Sequence, residues 1–128
     1  MNALSTDIEE PCVFAATGDD VHTSVDKGVN YASGHGYWLN VNCPSNYRAD
    51  ITIWLEEKLG GTWYPQGDPA YGANKAPGDS GRGNRVTAKD ACVNFDSHQW
   101  RSVIAADIVR EPDSVPEATT KTWTLACY

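Results

Sequence analysis

Hydrophobic and polar residues alternate along most of this chain with a period of two, a pattern that predicts strands. The clearest run is 47–56, with Tyr47, Ala49, Ile51, Ile53 and Leu55 on one face and Arg48, Asp50, Thr52, Trp54 and Glu56 on the other. Residues 36–43 alternate as well, which predicts Tyr37, Leu39, Val41 and Cys43 toward a core and Trp38 on the reverse face. Further strands are expected over 12–16, 21–26 and 29–31, in a returning segment from Thr62, and over 85–93, 99–109 and 119–127. Lys27-Gly28 and Gly60-Gly61 supply turns between them. Residues 54–59 have fair helix propensity and an i,i+4 pair in Leu55 and Leu59, but the run is short for an isolated helix. Seven or so short strands predict an all-β fold. The expected architecture is an immunoglobulin-like or related antiparallel β-sandwich, with a small β-barrel as the alternative.

Two stretches break the alternation. Residues 1–11 mix small, polar and acidic types without a period, so a flexible N-terminal arm is expected before a single β domain over 12–128. Between 65 and 84 aliphatic residues are few and Gly, Pro, Asp and Asn are many, which predicts one long Gly/Pro-rich loop. Such loops often carry function.

Length agrees with one domain, since 128 residues leave no room for a second independent core. Seventeen acidic residues against ten Lys and Arg give a net charge of −7. That balance argues against nucleic acid and anionic membranes as partners. Asp7, Glu9, Glu10, Asp19, Asp20 and Asp26 all precede the first basic residue, Lys27, so the acidic bias is N-terminal and favours a partner with a basic surface. No apolar run is long enough to predict a transmembrane segment. The first residues show no leader, as expected of a mature exported protein from which a signal peptide is absent.

Cys12, Cys43, Cys92 and Cys127 are too dispersed for a Cys-x-x-Cys redox motif or paired zinc knuckles. Two disulfides are expected, which favours a secreted, extracellular location. Joining cysteines near in chain order gives Cys12 with Cys43 and Cys92 with Cys127, and sequence permits two other pairings.

The residues that carry chemistry are sparse. His22, His35 and His98 form no chelating repeat, and His35 is expected as a turn or sheet-edge hydrogen-bonding residue. Glu56 and Glu57 are adjacent on a strand and therefore face opposite ways. Asp68 and Asp79 offer oxygens for calcium without matching an EF-hand loop. Gly78-Asp79-Ser80-Gly81 resembles the nucleophile context of chymotrypsin-like serine proteases over those four residues alone, and no other context of that family accompanies it. No catalytic residue, metal ligand or cofactor is therefore expected, and a hydrolase ranks below two binding functions. Trp38, Trp54, Trp63, Tyr64, Tyr71, Asp79 and Arg82 are the candidates for contact with a ligand or partner, because exposed aromatics serve both protein hot spots and sugar stacking.

The layout of Cys12, the run Tyr37-Trp38-Leu39-Asn40-Val41-Asn42-Cys43-Pro44, Cys92 and Cys127 resembles that of small exported two-disulfide proteins of actinomycetes. Some of those proteins are subunits or adaptors of larger secreted toxin assemblies. The resemblance implies extracellular protein interaction and names no partner. The expected function is a secreted, non-enzymatic protein-binding or adaptor module acting on another secreted or cell-surface protein through the arm, a sheet edge or the loop. A carbohydrate-binding module using exposed aromatic residues is the alternative.

Overall fold

The computed structural model describes residues 12–78, 82–109 and 117–128. The expected N-terminal arm and Asp79 lie outside the described residues. Among the described residues nine strands follow in order: β1 (Phe14–Gly18), β2 (His22–Asp26), β3 (Val29–Asn40), β4 (Ala49–Leu59), β5 (Thr62–Lys75), β6 (Val86–Ala91), β7 (Ser97–Ile108), β8 (Glu117–Thr119) and β9 (Trp123–Ala126). A 3-10 turn over Arg82–Asn84 is the single helical turn among the described residues.

The strands form two antiparallel sheets packed face to face, as the alternation predicts. In the first, β3 is central, with β6 on one edge and β1 followed by β2 along the other. In the second, the order is β5-β4-β7, with β8 and β9 sharing the far edge of β7. Each two-strand edge contains an irregularity of one residue. Gly18 pairs with Gly36 and His22 with Ser33, so a step of four on one strand matches a step of three on the other. Thr119 pairs with Val103 and Trp123 with Trp100, which repeats that mismatch on the second sheet. An extra residue of this kind bends a strand and re-aims its neighbours.

The core lies between the sheets. Ala49, Ile51, Ile53 and Leu55 of β4 are buried, as their alternation predicts, beside Trp100, Ile104, Ala106 and Ile108 of β7 in the same sheet, and share one core with Ala32 and Trp38 of β3 from the other sheet. Fully burying a side chain of Ile or Leu size contributes about 1.5–3 kcal/mol before entropy is counted. Glycine makes the sheets' close approach possible at Gly36, where an added Cβ would stand 3.0 Å from Ile104 and 3.4 Å from Ile53.

Three expectations are corrected. In β3 the inward face carries Ala32, Gly34, Gly36 and Trp38, while Leu39 and Val41 are exposed. Leu39 and Val41 therefore do not face the core, while Cys43 is buried as expected; the glycines that let Ile104 and Ile53 dock look like breaks in an apolar face. Residues 62–75, expected from Pro65 onward to be loop, form the longest strand. Pro65 and Pro69 are tolerated because β5 is a sheet edge, where a missing N–H breaks no ladder on the open side. The next strand, β6, begins at Val86. The run 119–127 is likewise divided into β8 and β9.

Both disulfides join the expected partners, Cys12 with Cys43 and Cys92 with Cys127. They close opposite extremities of the strand system. Cys12–Cys43 ties the entry to β1 to the exit of β3, and Cys92–Cys127 ties the exit of β6 to that of β9. Val93 N–H donates to the Tyr128 carbonyl and Tyr128 N–H to the Asn94 carbonyl, which extends the second staple across the two sheets.

Candidate functional site

Strand register decides which of the candidate aromatics share a surface. Trp54 lies on the outward face of β4 with Asp50, Thr52, Glu56 and Lys58. Trp63 of β5 pairs with Lys58 and Tyr71 with Thr52, so both join that outward face. Tyr64 pairs with Glu57 and takes the other side, which separates it from Trp63 and Tyr71. Trp38 is withdrawn as a contact residue: its ring is fully buried, its Nε1–H donates to the Lys75 carbonyl at 2.8 Å, and Phe14 packs edge-on against it. Arg82 opens the 3-10 turn, away from the β5 residues with which the loop reading grouped it.

The outward face is organised by one carboxylate. Glu56 Oε2 accepts a hydrogen bond from Trp54 Nε1 at 3.1 Å, and Glu56 Oε1 accepts one from Arg101 Nε at 2.7 Å. The Arg101 guanidinium also stands 4.2 Å from the centre of the Trp63 ring. Trp54, Glu56, Arg101 and Trp63 therefore form a connected surface whose side chains are held in place. Partly desolvated charge-assisted contacts of this kind fix geometry more than they add stability.

Further along the same face the charge is unbalanced. Asp50 of β4 and Asp107 of β7 lie directly opposite each other in the ladder, an arrangement that opposes folding. Among the described residues no Lys or Arg makes an ion pair with either one. Asp50 Oδ1 accepts the Asn74 N–H at 3.0 Å, and the Tyr71 hydroxyl bonds to Asp50. Desolvation, that hydrogen bond and the charges of Asp50 and Asp107 together raise the Tyr71 pKa. The half of the face around Tyr71 is thus aromatic and anionic.

A second group gathers at the buried Glu57, and sequence reading missed it. Glu57 continues the buried face of β4 and is 2% exposed. His98 Nδ1 is 3.2 Å from Glu57 Oε2, yet no donor is aligned to give that oxygen a hydrogen bond. Burial raises the Glu57 pKa, His98 pulls it down, and the Asp90 carboxylate raises it again. Burial also raises the pKa of Asp90. The available signal was a glutamate falling in phase with Ile51, Ile53 and Leu55 on an otherwise apolar strand face.

The sign of this linkage is definite. A carboxyl whose folded pKa exceeds its unfolded value binds more protons in the folded state, so its contribution is present at low pH and is lost as pH rises through the raised value. Glu57→Gln should therefore stabilise the protein at pH 7 by about 1–2 kcal/mol, the scale of an unsatisfied buried polar group, and have little effect near pH 4. Urea unfolding at the two pH values measures this, and an equal effect at both would contradict it.

Other sequence candidates stay apart. Asp68 is exposed on β5, and Asp79, the other loop carboxylate that could offer oxygens to calcium, is outside the described residues. Glu56 and Glu57 face opposite ways, as strand geometry requires. His35 lies in the central strand β3 and not in a turn or at an edge. Among the described residues no helix is long and apolar enough to cross a membrane. Comparison of the chain with protein-family models, with curated proteins and with solved structures finds no match.

Proposed function

We propose that this chain is a protein-recognition module of an exported protein, which contacts a basic partner through edge strand β5 and the outward face of β4, β5 and β7. The observation that supports it is the directly opposed Asp50–Asp107 pair beside the exposed Tyr71, a like-charged arrangement that costs folding stability and is relieved by a Lys or Arg from outside. Trp54 and Trp63, held by Glu56 and Arg101, supply preorganised apolar area next to that charge. The two disulfides suit an extracellular setting, and the resemblance to small exported actinomycete proteins agrees with an adaptor role.

The test is recovery of partners from the secretion of the producing organism with wild-type, Tyr71→Ala and Asp107→Asn baits. A partner of this site binds wild type, is lost at high salt and is weakened by about 1–2 kcal/mol in each variant. A partner retained equally by all three baits would overturn the site.

One observation favours a second reading, carbohydrate binding: Trp54, Trp63 and Tyr71 share a face with polar groups suited to sugar hydroxyls. A glycan screen separates the two, because saturable glycan binding lost in Trp54→Ala and Tyr71→Ala would replace the protein-binding proposal.

A further inference from the structure

The β1–β2 irregularity gathers three groups that sequence spacing leaves apart. After Gly18 the chain steps out of the ladder, and Asp19 turns its carboxylate back onto β3. Asp19 Oδ1 accepts the His35 backbone N–H at 2.8 Å, while Asp19 Oδ2 is 2.6 Å from His35 Nδ1. Register then returns with His22 opposite Ser33, on the outward face that His35 also occupies. The His22 and His35 rings stack with centres 5.3 Å apart. One ligand atom from each of Asp19, His22 and His35 lies within 4.8 Å of the other two.

We propose that Asp19, His22 and His35 form a binding site for a divalent metal of the zinc class. Two imidazoles and one carboxylate are the donor types zinc takes in three-ligand sites, with a fourth position left for water or another donor. Calcium and magnesium, which prefer all-oxygen shells, fit this set poorly. Tetrahedral zinc with bonds of about 2.0–2.1 Å holds its donors roughly 3.3 Å apart. Reaching that spacing requires the side chains to rotate, and each of the three is partly exposed on the sheet surface.

The surroundings also orient the rings. His22 Nδ1 is 3.1 Å from the Asp20 carbonyl, which can only accept, so that nitrogen is the donor and Nε2 is the one left for a metal. Backbone carbonyls and carboxylates that hold the second nitrogen of a histidine in this way are the usual outer partners of metal-ligating imidazoles. With one carboxylate and two neutral imidazoles, the site offers a dication one negative charge.

Calorimetric titration of the oxidised full chain with zinc chloride tests the site. Wild type is expected to bind one zinc ion per chain saturably. His22→Ala should weaken binding by at least about tenfold, since even loss of an outer-shell partner has that effect, and His98→Ala should bind as wild type does. His22 carries the test because Asp19 and His35 also brace the backbone. Ring NMR signals of His22 and His35 should shift on zinc addition while those of His98 stay in place. Absence of saturable one-to-one binding, or binding that survives in His22→Ala, would overturn the proposal.

Discussion

The double substitution Cys92→Ser/Cys127→Ser is expected to lower stability by about 3–4 kcal/mol, the chain-entropy cost of opening a loop of this length. The two cysteines are 35 positions apart, and their bridge joins the end of β6 in one sheet to the end of β9 in the other. Without it, the Val93–Tyr128 and Tyr128–Asn94 backbone bonds must hold that end of the sandwich alone. Cys12–Cys43, which spans 31 positions, should contribute a similar amount. Losing both approaches the whole stability of a domain this size, about 5–15 kcal/mol, so the fully reduced chain should be largely unfolded at physiological temperature. Urea unfolding of the oxidised protein, the double variant and the reduced protein measures both steps. A change below about 1 kcal/mol for the double variant would show that the sheet packing needs no staple there.

Trp38→Ala should cost about 3–5 kcal/mol, whereas Tyr71→Ala should cost less than about 1 kcal/mol. Trp38 is fully buried, stacks edge-on with Phe14 and reaches across to the end of β5 by donating to the Lys75 carbonyl. Truncation leaves a large cavity and an unpaired carbonyl together. Tyr71 is 64% exposed, so its removal opens no comparable void. Thermal unfolding of the two variants beside wild type gives the contrast. Equal destabilisation would mean that the outward face is a stability element, which would also remove the physical basis for reading it as a contact surface.

The two aromatics show what was legible in the chain and what was not. Both were contact candidates because sequence reports that a residue is large and apolar and leaves open which way it points. In β4 the direction was readable, since Ala49, Ile51, Ile53 and Leu55 form an unbroken apolar face. In β3 it was not, because the buried side is built from Ala32, Gly34, Gly36 and Trp38. Small residues there give way to Ile53, Leu55 and Ile104 from the opposite sheet, so the reason for them lies in another strand. The same applies to β5, whose prolines read as loop until its place at a sheet edge is known.

The candidate sites divide along the same line. Glu57 could have been flagged as a carboxylate in phase with a buried face, but its meeting with His98 and Asp90 depends on three strands from both sheets. Asp50 opposite Asp107 and Asp19 beside His35 depend on register, and register is set by pairing between segments many residues apart.

By itself the sequence determined the all-β class and the strand-rich order, and it favoured, among three possible pairings, the disulfides that form, because period-two patterning and loop closure are properties of local and near-local order. Only the tertiary structure decided the buried face of β3, the edge position of β5 and the convergence of Asp19, His22 and His35. Each of these rests on which strands meet and on a one-residue offset where they do, and a slip of one position turns every side chain to the opposite face.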